Sequence, residues 1–177
     1  MANWITNNIK AKGIKSLDIF TNNGIDFDKI IPEPVHKKDC PEEFLYQENN
    51  TEHCPKSTNK PWLNWCKWRN KFWGVSVNAD TDNNTDITMT KDDIITFDTK
   101  WGAPYPIIAK LSRIIGDEIL THECFDIDTL YSPIFRTVWK NGRMIESYQS
   151  VFEYDLKSEN SDGKYGEFTP IDIDSKY

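Results

Sequence analysis

Glycine is scarce in this chain, with 8 residues among 177, and none falls in a glycine-rich run of the kind that cradles phosphate. Histidine is scarcer still, at 3, and cysteine numbers 4. No C-x-x-C pair, H-E-x-x-H helix, nucleophile elbow or Walker loop occurs, so an enzyme is not expected and no cofactor is implied. No apolar run approaches the ~18 residues that span a bilayer. The first residues, Met1-Ala2-Asn3-Trp4-Ile5-Thr6-Asn7-Asn8, lack the basic and apolar regions of a signal peptide. The expectation is a cytoplasmic protein without a membrane partner. There, Cys40, Cys54, Cys66 and Cys124 would be free thiols.

What is abundant is aromatic: 7 Trp, 7 Tyr and 9 Phe, or 13% of the chain. Acidic residues outnumber basic ones, 28 to 21, for a net charge of −7. That sign disfavours a non-specific nucleic-acid coat or a polybasic membrane binder. The length suits one domain, here expected over residues 1–155, with a loop and helix insertion at about 35–74 and a polar, loosely ordered tail at 156–177.

Local patterns suggest the elements. Residues 3–11 suit a first strand, and Ser16 to Phe20 a short helix. Ile25 to Ile31, ahead of Pro32 and Pro34, suits a short edge or irregular segment. Pro61 introduces a helix over Trp62 to Trp73, stopped by Gly74. Val75 to Ala79, Ile87 to Met89 and Ile94 to Phe97 look like strands around a turn at Asp80 to Asn84. Pro104 and Pro106 open a helix whose apolar stripe is Ile107, Ile108, Leu111, Ile114 and Ile115, stopped by Gly116. Ile119 to Phe125 is a strand. Asn141-Gly142 joins the strands Ile134 to Lys140 and Arg143 to Tyr154 as a hairpin. Strands and helices mix without strict alternation, which points to an α+β fold: an antiparallel sheet with helices on one face.

The segment from Lys56 to Ala79 contains no Asp or Glu. A helical wheel places Trp62, Trp65, Cys66, Phe72 and Trp73 on one broad, core-forming face that also carries Arg69, with Trp68 at its edge and Lys67 and Lys71 opposite. Lys67, Trp68 and Lys71 are therefore candidates for a partner contact. Four further candidates are Asp98, which ends a strand before Trp101, Trp101 itself, Arg136 and Trp139. Phe135 and Trp139 share one strand face, and Arg136 and Lys140 the other. His36, Cys40, His53 and Cys54 have a spacing that could assemble zinc, but adjacent ligands at His53-Cys54 are unusual, and no metal site is expected. Carboxylate pairs at Asp92-Asp93 and at Asp126 and Asp128 suggest acid/base work as one option, and Asp98 reads most simply as a cap or turn residue. His122 falls in a strand, with a core or sheet-surface role.

Several blocks together carry a resemblance. They are Ala2 to Asn7, Phe27 to Pro34, Trp65-Cys66 through Trp73-Gly74 with Asn78-Ala79, Ile95 to Ile108, and the Lys140-Asn141-Gly142 turn. In this order they resemble the YubB-type family of phage and plasmid proteins. Two or more extra residues lie between Cys66 and Trp73, and the first helix is shorter than that family's. The resemblance implies a ferredoxin-like β-α-β-β-α-β plan, with the Trp-rich helix as an insertion, and a setting in mobile elements. The expected function is a non-enzymatic protein that binds and inhibits a host defence complex, such as a CRISPR effector. Acidic groups at Asp117-Glu118, Asp126 and Asp128 would suit its basic channels. The alternatives are a single-strand RNA-binding module using aromatics on the sheet and a metal-dependent hydrolase.

Overall fold

The computed structural model describes residues 3–21, 24–47, 59–79, 94–154 and 163–173. The first strand, β1 (Trp4–Lys10), is followed by a small ribbon of β2 (Phe20–Thr21) and β3 (Gly24–Ile25), then a single turn of helix, α1 (Phe27–Ile30). Next come α2 (Trp65–Phe72), β4 (Ile94–Lys100), α3 (Tyr105–Ile114), β5 (Leu120–Asp126), β6 (Ile134–Lys140) and β7 (Arg143–Ser150). The described chain closes with β8 (Phe152–Tyr154), β9 (Gly163–Tyr165) and β10 (Thr169–Pro170).

Six strands form one sheet in the order β10-β7-β6-β5-β1-β4, and every neighbouring pair is antiparallel. The fold is therefore α+β. Because β1 lies between β4 and β5, the unit β4-α3-β5 is a split β-α-β crossover. The succession of long strands and helices is β-α-β-α-β-β-β, which differs from the β-α-β-β-α-β plan. The hairpin turn has positive φ at both Asn141 (50°) and Gly142 (78°), the geometry that a two-residue connection between twisted strands favours.

The core lies between the sheet and the helices. Ile107, Ile108 and Leu111 of α3 are fully buried against Ile9, Ile95, Leu120 and Trp139 of the sheet. One member of the expected stripe departs: Ile114 is exposed, whereas Ile115 packs against the core. The α2 helix also starts later than Pro61 suggests. Asn64, not Trp62, is its N-cap, and its side chain accepts from Lys67 N at 3.1 Å. Trp62 and Leu63 instead form a turn that bridges to Leu45.

Trp62 is therefore outside the helix, and the buried side chains differ from the expected face. Trp68 and Trp73 are buried, whereas Trp62, Trp65 and Phe72 are half-buried. Trp68 packs edge-on to Trp73 (5.8 Å between ring centroids) and tilted against Phe72 (4.8 Å). The Trp73 indole N–H donates to Ile31 O at 2.8 Å. Arg69 lies between the Trp65 and Trp73 rings, at 4.8 and 4.7 Å from their centroids. It donates to Glu33 Oε1 at 2.6 Å, and Lys60 donates to Glu33 Oε2 at 2.9 Å. Burial pushes the Glu33 carboxyl up, but the two cations outweigh it and hold the pKa below the usual carboxylate value. The acid-free segment thus spends two of its charges inside the fold.

Other expectations are corrected. Residues 75–79 form no strand; Val75 and Ala79 are buried while Asn78 ties the segment to α1, accepting from Phe27 N and donating to Asp26. Ser16 to Phe20 carry only the end of a 3-10 turn and the start of β2. The C-terminal segment is not a loose tail over 163–173. There β10 joins the sheet edge, with Pro170 opposite Tyr148, and the Tyr165 hydroxyl donates to Ser132 O at 3.0 Å. A proline is tolerated on such an edge. The expected strand at 87–89 and the turn at 80–84 lie outside the described residues.

Gly74 shows how closely α2 approaches the start of α3. Its φ is +83°, and a Cβ there would lie 2.8 Å from Pro106 Cδ. Gly116 has a similar φ of +74° with open space around it. Gly116→Ala should therefore cost about 1 kcal/mol from backbone strain alone, and Gly74→Ala about 3 kcal/mol, since the ring of Pro106 must also move. Urea unfolding of both variants checks this, and equal losses would refute the packing argument.

Candidate functional site

The sheet carries two polar assemblies, one on each face. Period-two alternation separates them. Asn7, Thr99, His122 and Thr137 turn toward the helices and are buried. Asn8, Thr96, Glu123 and Arg136 turn the other way and are half-buried.

The buried set is a hydrogen-bonded chain across four adjacent strands. Asn7 Nδ2 donates to Ile5 O and to Thr99 Oγ1, both at 2.9 Å. Its Oδ1 therefore faces His122 Nε2 at 3.0 Å, so Nε2 carries the proton. The neutral ring then accepts at Nδ1 from the Thr137 hydroxyl (3.3 Å), which in turn accepts from Trp139 Nε1 (2.8 Å). At the other end, the Thr99 hydroxyl donates to Gly102 O at 2.6 Å, just ahead of α3. Every link donates in one direction, from Trp139 to Gly102. Full burial depresses the His122 pKa to about 3, which keeps it neutral. Burial also raises the Cys124 thiol to about 11, beneath Tyr105. These groups are sealed from solvent and shape the fold.

The opposite face is open to a ligand. Lys10, Asn8, Thr121, Glu123, Arg136, Val138, Glu146 and Tyr148 line a cleft of about 530 Å³. Strand register builds it. Asn8 lies opposite Thr96 on one side and Glu123 on the other, Glu123 opposite Arg136, and Arg136 opposite Tyr148. Glu123 Oε1 accepts from Arg136 Nε at 2.7 Å and lies 2.6 Å from Nη2. The guanidinium is 3.7 Å above the Phe168 ring, which the return of β10 delivers. The Thr96 hydroxyl donates to Asn8 Oδ1 at 2.7 Å. The Tyr148 hydroxyl donates to Glu146 at 2.8 Å, and that bond to a carboxylate raises the phenol pKa. Two cations and two carboxylates line the cleft, so its charge is balanced.

The sequence candidates are dispersed. Arg136 lies in the cleft. Asp98 is on the same face, accepting from the Thr6 hydroxyl at 2.7 Å. Trp101 is exposed at the end of β4, with φ of 66°. Lys67 and Lys71 are exposed on α2, apart from the cleft lining. Trp68 and Trp139 are corrected: both indoles are buried in the core and offer no face to a partner. The Phe135 and Trp139 face is the one α3 covers, which removes it as a base-stacking platform. Glu123, Tyr148 and Phe168 escaped the sequence reading. The Asn141-Gly142 turn, carried through as a regular register, would have placed Ser147 opposite Arg136; a bulge at Val138/Trp139 shifts the pairing by one and brings Tyr148 there instead.

Cys66 is disulfide-bonded, a departure from the expectation of free thiols, whereas Cys40 and Cys124 are free and buried. His36 is exposed and Cys40 buried, and His53, Cys54 and Asp92-Asp93 lie outside the described residues. Asp126 and Asp128 act as turn groups: Asp126 Oδ1 accepts from Asp128 N, and Asp128 Oδ2 from Trp4 N. Among the described residues no helix is long and apolar enough to cross a membrane, and no group of three or more His, Cys, Asp or Glu could hold a metal ion. No protein-family model, curated protein or solved structure matches the chain.

The buried histidine makes stability depend on pH. The folded pKa near 3 lies below the ordinary imidazole value of 6.5, so between them the unfolded chain binds more protons. Stability is full above about pH 6.5 and falls by up to about 1.4 kcal/mol per pH unit below it. His122→Gln keeps a donor and an acceptor but cannot titrate. In denaturation measured at stepwise lower pH, the wild type should lose stability faster than the variant. Parallel curves would show that His122 is not held neutral.

Proposed function

We propose that the chain is a non-enzymatic binding protein whose open sheet face takes a protein partner. The observation that favours this reading is the state of Arg136. Its charge is already met by Glu123 and its plane is already stacked on Phe168. Phosphate binding draws on uncompensated cations, and this cleft has none in excess. A polar, charge-balanced surface with rigid aromatic support suits a protein surface instead.

The resemblance to mobile-element proteins supplies the biological setting. In that reading the partner is a host defence complex, such as a CRISPR effector ribonucleoprotein, and binding inhibits it. The site of action is the host cytoplasm, where Cys66 would be held reduced. The packing of Trp68 and Trp73 must then hold α2 without the bridge, so Cys66→Ser should keep binding.

Co-purification of the tagged chain with purified effector complexes, alongside a plasmid-interference assay, tests the reading. The wild type should form a complex and reduce interference. Thr121→Arg, which crowds the cleft, should weaken binding by about tenfold or more. Absence of any complex with undiminished interference would overturn the reading. Retention of labelled single-stranded RNA, with affinity falling steeply as salt rises, would favour the RNA-binding alternative.

A further inference from the structure

A second surface lies at one end of the sheet. The strands β4 and β5 finish there, and β1 begins there: Trp101 N donates to Asn3 O, and Ile127 N to Trp4 O. That end gathers Trp101, Ile127, Leu130, Tyr131, Val151 and Tyr165, all large apolar or aromatic side chains that are exposed. Leu130 is 78% exposed and Trp101 62%. Isolated exposed apolar residues are ordinary, but such a gathering marks an interaction surface.

Two of these residues stand on left-handed backbone. Trp101 and Tyr131 adopt φ of 66° and 61°, a left-handed region that glycine or asparagine occupies more easily. The rings are also pre-organised. Tyr131 stacks on Phe152 with centroids 4.2 Å apart, and Phe152 meets Tyr165 edge-on at 5.2 Å. The Tyr165 hydroxyl is tied back to Ser132 O. Aromatics already fixed in place lose little conformational freedom on binding, which is what interface anchors require.

Charge identifies the occupant. The connection from Asp126 to Pro133 holds two carboxylates and no cation. Lys100, the nearby base on β4, lies over the Trp4 ring at 4.6 Å. Lys164 lies opposite Glu153 in the β8–β9 ribbon. The two carboxylates in the connection beside these aromatics disfavour nucleic acid and anionic lipid, and attract a basic surface. We infer that this sheet end docks a basic, partly apolar protein surface, with Trp101 and Leu130 as anchors and Asp126 and Asp128 as the complementary charge. The inference rests on the protein-binding reading and adds a surface and a partner chemistry to it.

The test is a random peptide library displayed on phage and selected against the immobilised full chain, followed by fluorescence anisotropy with the enriched peptides. These should combine Arg or Lys with aliphatic or aromatic residues, and bind more weakly as salt rises. Trp101→Gly and Leu130→Ser should each weaken binding by about tenfold. The glycine suits the left-handed backbone, so the variant keeps the fold; circular dichroism and thermal unfolding check this. Ile119→Ser, an exposed apolar residue at the opposite end of β5, should leave binding unchanged. No enrichment, enrichment of neutral or acidic peptides, or full binding by Trp101→Gly and Leu130→Ser would each overturn the inference. The selection uses no effector complex, so its failure is separable from failure of the co-purification test.

Discussion

One buried hydrogen bond, from His122 to Asn7, organises the molecule. It joins β5 to β1 at the centre of the sheet, inside a chain of donors that reaches β4 on one side and β6 on the other. Burying polar groups is costly unless each finds its partner. Here the accounting closes only for one alignment of four strands. A slip by one residue would turn Asn7 and His122 to the open face and leave their partners unpaired. Apolar packing under α3 supplies the bulk of the burial, while the polar chain supplies the register.

Register on the buried face determines chemistry on the other. Because Asn7 meets His122, Asn8 falls beside Glu123, and Glu123 beside Arg136. The open row is therefore a by-product of the sealed one, and no separate scaffold is needed to place it. The same alignment leaves both faces polar but in different conditions: one neutral and saturated, the other charged, compensated and reachable. The helices lie where the neutral face needs cover.

Strong local signals in the sequence carried through to the structure. The first strand, the helix after Pro104, and the hairpin at Asn141-Gly142 stand close to where periodicity and turn chemistry put them. Long-range effects were not legible. A wheel over Trp62 to Trp73 put Trp68 at the edge of the apolar face, whereas its ring packs against Phe72 and Trp73 and is buried. Trp139 read as a surface candidate because its one polar atom could not be matched in advance to the hydroxyl of Thr137. The return of residues 163–173 to the sheet depends on Tyr165, Phe168 and Pro170, each too isolated along the chain to announce a strand. At the site, Arg136 and Asp98 were recognisable as charged strand residues. The carboxylate of Glu123 that meets Arg136 and the Thr6 hydroxyl that meets Asp98 emerge only from strand order.

The insertion of β1 between β4 and β5 bears on how the chain reaches this state. Thr6 waits for Asp98, 92 residues later, and Asn7 for His122, 115 residues later. The first of the described strands in chain order is thus among the last to be fully paired. Its neighbours can first associate through the local β5-β6-β7 meander, which requires only short loops. Until β1 enters, Nε2 of His122 lacks Asn7 and the edge of β5 away from β6 is unpaired. Sheet assembly is then a docking event over a large loop, with a correspondingly slow and aggregation-exposed final step.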